Sequence, residues 1–222
     1  MHLDHAGSAG ALVREHPALQ VHVSEVGAPH LIDPSRLERS ARRLYGDRFD
    51  TLWGELAPVP EENVNVVGDR VCGLDCFPTP GHAWHHVGYL HADGTLYAGD
   101  AAGVRIQPSS YVVPPTPPPE IDVEAWERTL DEILRRGPDR LALIHFGVAD
   151  DDVAGHVERL RDRLRIWSER VERGATEEEF VAGAEQDLRE AEGDRAGTFD
   201  LAIPAWQCWQ GLRRYWDKKT ES

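Results

Sequence analysis

Cysteine is scarce in this chain of 222 residues. Cys72, Cys76 and Cys208 are the only three, too few for a disulfide framework, so a reducing cytoplasm is the default compartment. Cys72 and Cys76 lie in an apolar, strand-like run, and a zinc knuckle would need a second cysteine pair, which is missing. Lysine is scarcer still: Lys218 and Lys219 are the only two, against 24 Lys and Arg together. That usage suits a GC-rich genome, and with the many acids a salt-adapted organism. No run approaches the 18 or so apolar residues of a membrane helix. The start, Met1-His2-Leu3-Asp4-His5, lacks the basic-then-apolar layout of a signal peptide.

Positive charge is in deficit as well. The 39 Asp and Glu leave a net charge of -15. Such a surface repels phosphate backbones and anionic membranes, so nucleic acid and membrane are excluded as partners and a small molecule is favoured. What is present is a globular chain, 41% hydrophobic with 7 Trp.

Residues 8–15 read as a short helix and 19–23 alternate as a strand. Asp33-Pro34-Ser35 opens a helix through Leu44, stopped by Gly46. Residues 64–67 and 71–77 read as strands, and 87–90 with 95–98 as a hairpin turning at Ala92-Asp93-Gly94. The tract from Pro108 to Pro119 is too rich in proline for a central strand. From Asp122 helices take over, interrupted by a buried strand at 141–144. Helices are expected over 122–136 and 151–173, from the capping box at Thr176 and Glu179, and over 201–218. The aromatics of the last helix, Trp206, Trp209, Tyr215 and Trp216, are read as packing.

Four segments carry chemistry. His2, Asp4 and His5 crowd imidazoles and a carboxylate onto one tight loop, a donor set that Zn²⁺, Mn²⁺ and Fe²⁺ accept. Thr79-Pro80-Gly81-His82 sets His82 after one strand, Tyr97-Ala98-Gly99-Asp100 sets Asp100 after another, and Ile144-His145-Phe146-Gly147 sets His145 at the end of a third. Layered sheets present their sites at carboxyl ends of strands.

With these residues the sequence resembles the metallo-β-lactamase-fold hydrolases, the superfamily that includes glyoxalase II. Its pattern is HxHxDH, a His in a TPGH segment, an Asp in a GD segment and a late His. The resemblance covers roughly residues 1–150. The segment 27–37 and the tract 115–119 look like a glyoxalase-II-like subgroup with no settled substrate.

The resemblance implies an α/β fold, an αβ/βα sandwich of mixed sheets. It divides the chain into a hydrolase domain over 1–150 and a helical extension over 151–222. The first His of HxHxDH would fall one position before Met1. The expectation is therefore a sandwich lacking its first strands, through a start placed too late or a genuine truncation.

Carried over by position, the first metal keeps His2 and His82, the second takes Asp4, His5 and His145, and Asp100 bridges both. The cofactors implied are two divalent ions, Zn²⁺ or alternatively Fe or Mn. Asp4 and Asp100 are the implied catalytic residues, with a metal-bound hydroxide as nucleophile on a thioester, lactone or related ester. The alternative is a weakly active or non-catalytic remnant that holds one ion and serves as an interaction module. His86 is read as supporting the ligands, Trp84 and Tyr111 as walls of a substrate pocket, and the proline tract as a border of the cleft. His16, His22, His30, His91 and His156 are assigned to surface or packing. An incomplete sheet would leave an exposed edge and invite a homo-oligomer.

Overall fold

The computed structural model describes residues 2–221. They form two compact units, one up to Cys72 and one from Gly73 onward.

In the first unit, the helices α1 (Leu3–Ala6) and α2 (Ala9–Glu15) precede strand β1 (Val21–Val23). Helices α3 (Ala28–Ile32), α4 (Ser35–Tyr45) and α5 (Phe49–Leu52) follow, then strands β2 (Val64–Val66) and β3 (Arg70–Val71). β1 and β2 pair in parallel, Val21 opposite Val64 and Val23 opposite Val66. A parallel pair needs a crossover, which α3 to α5 supply. Asn63 ties the entry to both strands, its Nδ2 donating to the carbonyls of Pro17 at 2.9 Å and Leu19 at 2.7 Å. Two small apolar clusters form here, Val13 with Leu31 and Val59, and Ala41 with Phe49 and Leu56.

The second unit carries the main core. Strands β4 (Leu74–Pro78), β5 (Val87–Leu90), β6 (Thr95–Tyr97), β7 (Arg140–Ala142) and β8 (Val148–Ala149) lie side by side in that order. Only β6 and β7 run parallel, with Leu96 opposite Leu141. Helix α6 (Val123–Arg136) makes that crossover. Its start is capped by Asp122, which accepts from the Ala125 N–H at 2.7 Å, and Gly137 ends it in the left-handed conformation. The buried residues Trp126, Leu130 and Ile133 fall at helical spacing and face the sheet.

Helix α7 (Val153–Glu172) buries Val157, Leu160, Leu164, Trp167 and Val171 along one stripe. Helices α8 (Glu177–Glu192), α9 (Gly197–Ala202) and α10 (Ala205–Thr220) complete the helical extension. The capping box of α8 is present in full, with Thr176 Oγ1 accepting from the Glu179 N–H and the Glu179 carboxylate accepting from the Thr176 N–H. The helices share one apolar core with the strands, from Leu96 and Leu141 through Leu160 to Leu212.

Elements that differ from the sequence reading include two strands and the last helix. The strand expected over 71–77 is broken by a turn at Cys72 and Gly73, both with positive φ (48° and 82°). Two consecutive left-handed residues reverse a strand tightly. The strand expected over 141–144 ends at Ala142, because Phe146 and Gly147 also take positive φ and the Leu143 N–H returns to the Gly147 carbonyl at 3.0 Å. The helix expected over 201–218 is two helices. Ile203 is extended (φ -143°, ψ 96°) because the residue before a proline is pushed out of the helical region, and Pro204 opens α10.

Candidate metal centre

The second unit brings three of the expected ligands together. Asp100 sits in a tight 3-10 turn, Gly99–Ala102, directly after β6. His82 follows β4, and His145 lies in the turn between β7 and β8. The Nε2 of His82 is 3.3 Å from Oδ2 of Asp100, and the Nε2 of His145 is 3.6 Å from Oδ1. Each carboxylate oxygen therefore faces a different imidazole. His82 is 3% exposed and Asp100 4%.

The hydrogen bonding of His82 determines what faces Asp100. Its Nδ1 lies 2.7 Å from the carbonyl of Pro115. A carbonyl only accepts, so Nδ1 carries a proton. Nε2 then faces a carboxylate oxygen, and a divalent cation between the two would satisfy both. Nitrogen and carboxylate donors in this arrangement fit a borderline divalent ion.

The loops bearing these ligands are held by backbone carbonyls. Gly81, at φ 132°, lets the chain pass against Trp126, where a Cβ would come within 2.3 Å of the Trp126 Cβ. Thr129 donates to the Pro80 carbonyl at 2.6 Å, and the Asp122 N–H donates to the Gly81 carbonyl at 2.9 Å. Trp126 Nε1 donates to the Ala101 carbonyl at 2.8 Å, while its ring packs edge-on to His82 at 5.7 Å. His156 Nε2 donates to the Ala102 carbonyl at 2.8 Å. Gly99 (φ 54°) lies so close to His86 that a Cβ would reach 2.5 Å from Nε2. His86 pairs in turn with Thr79 Oγ1 at 2.7 Å.

The other three expected ligands lie in the first unit. They form a helical turn where a loop was expected: His2 precedes α1 and Asp4 and His5 are on it. The His5 Nε2 is 3.3 Å from Oδ2 of Asp4, and the rings of His2 and His5 are 6.4 Å apart.

Some neighbours went unread in the sequence. Glu120 places Oε2 3.6 Å from Nδ1 of His85. Burial pushes the His85 pKa down while Glu120 pulls it up. His156, assigned to surface or packing, is fully buried and supports the Asp100 turn. Its spacing within the α7 stripe was the signal for burial, but nothing local showed its bond. Tyr111, read as a pocket wall, is buried in the helical core edge-on to Phe199 at 5.8 Å. Trp84 is 51% exposed, two residues beyond His82.

A sheet whose strand ends converge two histidines on one aspartate forms a candidate metal-binding group on a mixed α/β scaffold. Residues 1–145 match the family model of the metallo-beta-lactamase superfamily, and the chain belongs to that superfamily. A metallo-beta-lactamase fold-containing protein of Sulfurisphaera tokodaii, ST1585, is 28% identical over 176 residues, which are 75% of this chain and 66% of that one, just under two thirds of the relative's length.

Solved structures share the fold. The crystal structure of ST1585, described as an archaeal metallo-beta-lactamase superfamily protein from Sulfolobus tokodaii, superposes with a TM-score of 0.67. It is 24% identical, covering 96% of this chain and 77% of that one. TTHA1429, a metallo-beta-lactamase family protein from Thermus thermophilus, gives 0.61 at 18% identity, covering 97% and 71%. A further protein, TTHA1623, solved in a di-iron-bound form, gives 0.50 at 20% identity, covering 72% of each chain.

Proposed function

We propose that this chain is a metal-dependent hydrolase acting on a thioester, lactone or related ester, with glyoxalase-II-like chemistry. The observation that carries the reading is the buried Asp100 carboxylate, with Oδ2 toward His82 and Oδ1 toward His145. A carboxylate so placed, together with the histidines, would hold divalent cations. TTHA1623, similar in fold at 20% identity, was solved in a di-iron-bound form, which supports a two-ion reading. Zn²⁺ is the ion proposed, with Fe or Mn as alternatives, because imidazole and carboxylate donors suit all three.

In this reading His2 and His82 serve one ion, Asp4, His5 and His145 the other, and the order of the motif along the chain is what joins the two groups. Ions held there would supply an acidified water and an electrophilic clamp for a substrate carbonyl. Asp100 would contribute to holding the ions with both groups of ligands, and Asp4 would accept a hydrogen bond from a water and orient it. His82 stays in one tautomer because Pro115 takes its other proton. No serine or cysteine nucleophile is required.

The substrate is a small molecule of low negative charge, since a net charge of -15 repels polyanions. Among the described residues no helix is long and apolar enough to cross a membrane. A cytoplasmic setting is proposed from the small number of cysteines, three in the chain.

The test is direct. Protein loaded with Zn²⁺, Fe²⁺ or Mn²⁺ and dialysed is assayed against thioesters, lactones and phosphoesters. Hydrolysis of a thioester or lactone that stops on chelation and returns with the ion is expected. Tight metal binding without turnover of any ester would remove the hydrolase reading, and failure to bind any ion would remove the metal centre.

A further inference from the structure

The tract 114–119 lies between His82 and helix α10, and α10 grips it at four points. The Thr116 hydroxyl donates to the Cys208 carbonyl at 3.1 Å. The Cys208 thiol points to the Pro114 carbonyl at 3.8 Å. Arg214 donates to the Pro119 carbonyl at 3.3 Å. At Gly211 the helix passes so close that an added Cβ would meet the Thr116 carbonyl oxygen at 1.9 Å. Thr116, Cys208 and Leu212 are fully buried. On the other side of the same tract, the Pro115 carbonyl accepts the hydrogen bond of His82 Nδ1–H.

The geometry points to α10 as a positioning element for the metal centre: Thr116, Cys208 and Gly211 hold the Pro115 carbonyl where it sets the tautomer and orientation of His82. Residues 208 and 211 lie beyond the segment 1–145 that matches the superfamily, so a part of the chain outside that match controls a ligand inside it. The inference rests on His82 being a ligand, as proposed above. The physical basis is that a ligating imidazole is aimed by the partner of its other nitrogen, and loss of such a partner typically lowers metal affinity about 10–100-fold. The Pro115 carbonyl has little freedom of its own, since the rings of Pro114 and Pro115 restrict the backbone that carries it. Moving Thr116 therefore moves Pro115 with it.

Three full-length variants test this: Gly211→Ala, Thr116→Val and Thr116→Ser. Zn²⁺ affinity is measured by competition with a chelator. The His82 tautomer is read in metal-free protein by long-range ¹H–¹⁵N spectra, assigned by comparison with His82→Gln. Wild type should show His82 protonated at Nδ1. Gly211→Ala and Thr116→Val should bind Zn²⁺ about 10–100-fold more weakly and lose the single tautomer, whereas Thr116→Ser, which keeps the hydroxyl, should stay near wild type.

A purely structural role for α10 would lower the thermal midpoint and leave tautomer and affinity unchanged, and that result overturns the inference. If Gly211→Ala fails to fold, the Thr116→Val and Thr116→Ser pair decides it. If wild type binds no Zn²⁺, the metal-centre reading falls, and the tautomer in the metal-free variants still decides whether α10 governs His82.

Discussion

His156 donates from Nε2 to the carbonyl of Ala102 at 2.8 Å, and its buried Nδ1 has no hydrogen-bond partner among the described residues. The ring is therefore neutral, and burial holds its pKa below the ordinary histidine value. In the unfolded chain His156 takes up a second proton near pH ~6.5; in the folded chain it does so only at lower pH. Protons thus bind the unfolded state preferentially below about 6.5, and stability that is complete above that value declines as the pH falls toward the folded pKa. Urea midpoints of chelator-treated protein between about pH 8 and 5 should show this acid limb. His156→Gln keeps a donor for Ala102 and should flatten the limb. An unchanged acid limb in that variant would place the titration elsewhere.

Trp126 serves both packing and the site. Trp126→Phe keeps an aromatic ring against His82 but strips the donor from the buried Ala101 carbonyl. Leaving that acceptor unsatisfied should cost about 1–3 kcal/mol, read as a lower denaturation midpoint with an unchanged m-value. Because the carbonyl belongs to the turn of Asp100, metal affinity should drop in the same variant, by about tenfold. A stability loss with intact affinity would confine Trp126 to the core.

Asp100→Asn preserves shape and removes the charge that two cations would share. Metal content should fall, and ester hydrolysis should drop by two or more orders of magnitude, about 3 kcal/mol or more of activation free energy, while far-UV dichroism stays native. If Asp100 only caps the turn after β6, the variant would instead lose about 0.5–2 kcal/mol of stability with metal and turnover intact. Metal content, thermal midpoint and hydrolysis measured on one sample separate the two.

His5 and His145 belong to different units and, in the proposed site, to the same ion. His5→Ala and His145→Ala should each abolish binding of that ion, so the double variant should bind no worse than either single one. Groups that act as one unit are non-additive. Zn²⁺ titrations of the three variants check it, and additive losses would mean two independent sites.

The helices after residue 120 were legible because their signals are local. Asp122, Asp152 and Thr176 each accept a backbone N–H at a helix start, as their position before an apolar stripe indicates. The hairpin 87–97 was legible for the same reason, with period-2 alternation around an Asp-Gly turn. The break at Ile203-Pro204 was also written locally, and was missed because the aromatic spacing of the last helix outweighed the proline. The turn at Cys72 was hidden, since a cysteine at positive φ has no sequence signature.

The sequence by itself determined which donors this protein has. Two imidazoles at 82 and 145 and a carboxylate at 100 follow apolar runs in an order that a metal centre uses, and side-chain chemistry needs no fold to be read. Only the tertiary structure decided how those donors are presented. Asp100 meets His82 and His145 because β4, β6 and β7 lie in one sheet, with β6 and β7 in parallel register. The tautomer of His82 depends on a carbonyl 33 positions away in sequence. The hydroxyl of Thr116, next to that carbonyl, donates to the carbonyl of Cys208, 92 positions further on. Such contacts carry no local pattern: any glycine permits a close approach and any backbone carbonyl accepts a hydrogen bond, so which pair meets is settled by packing alone.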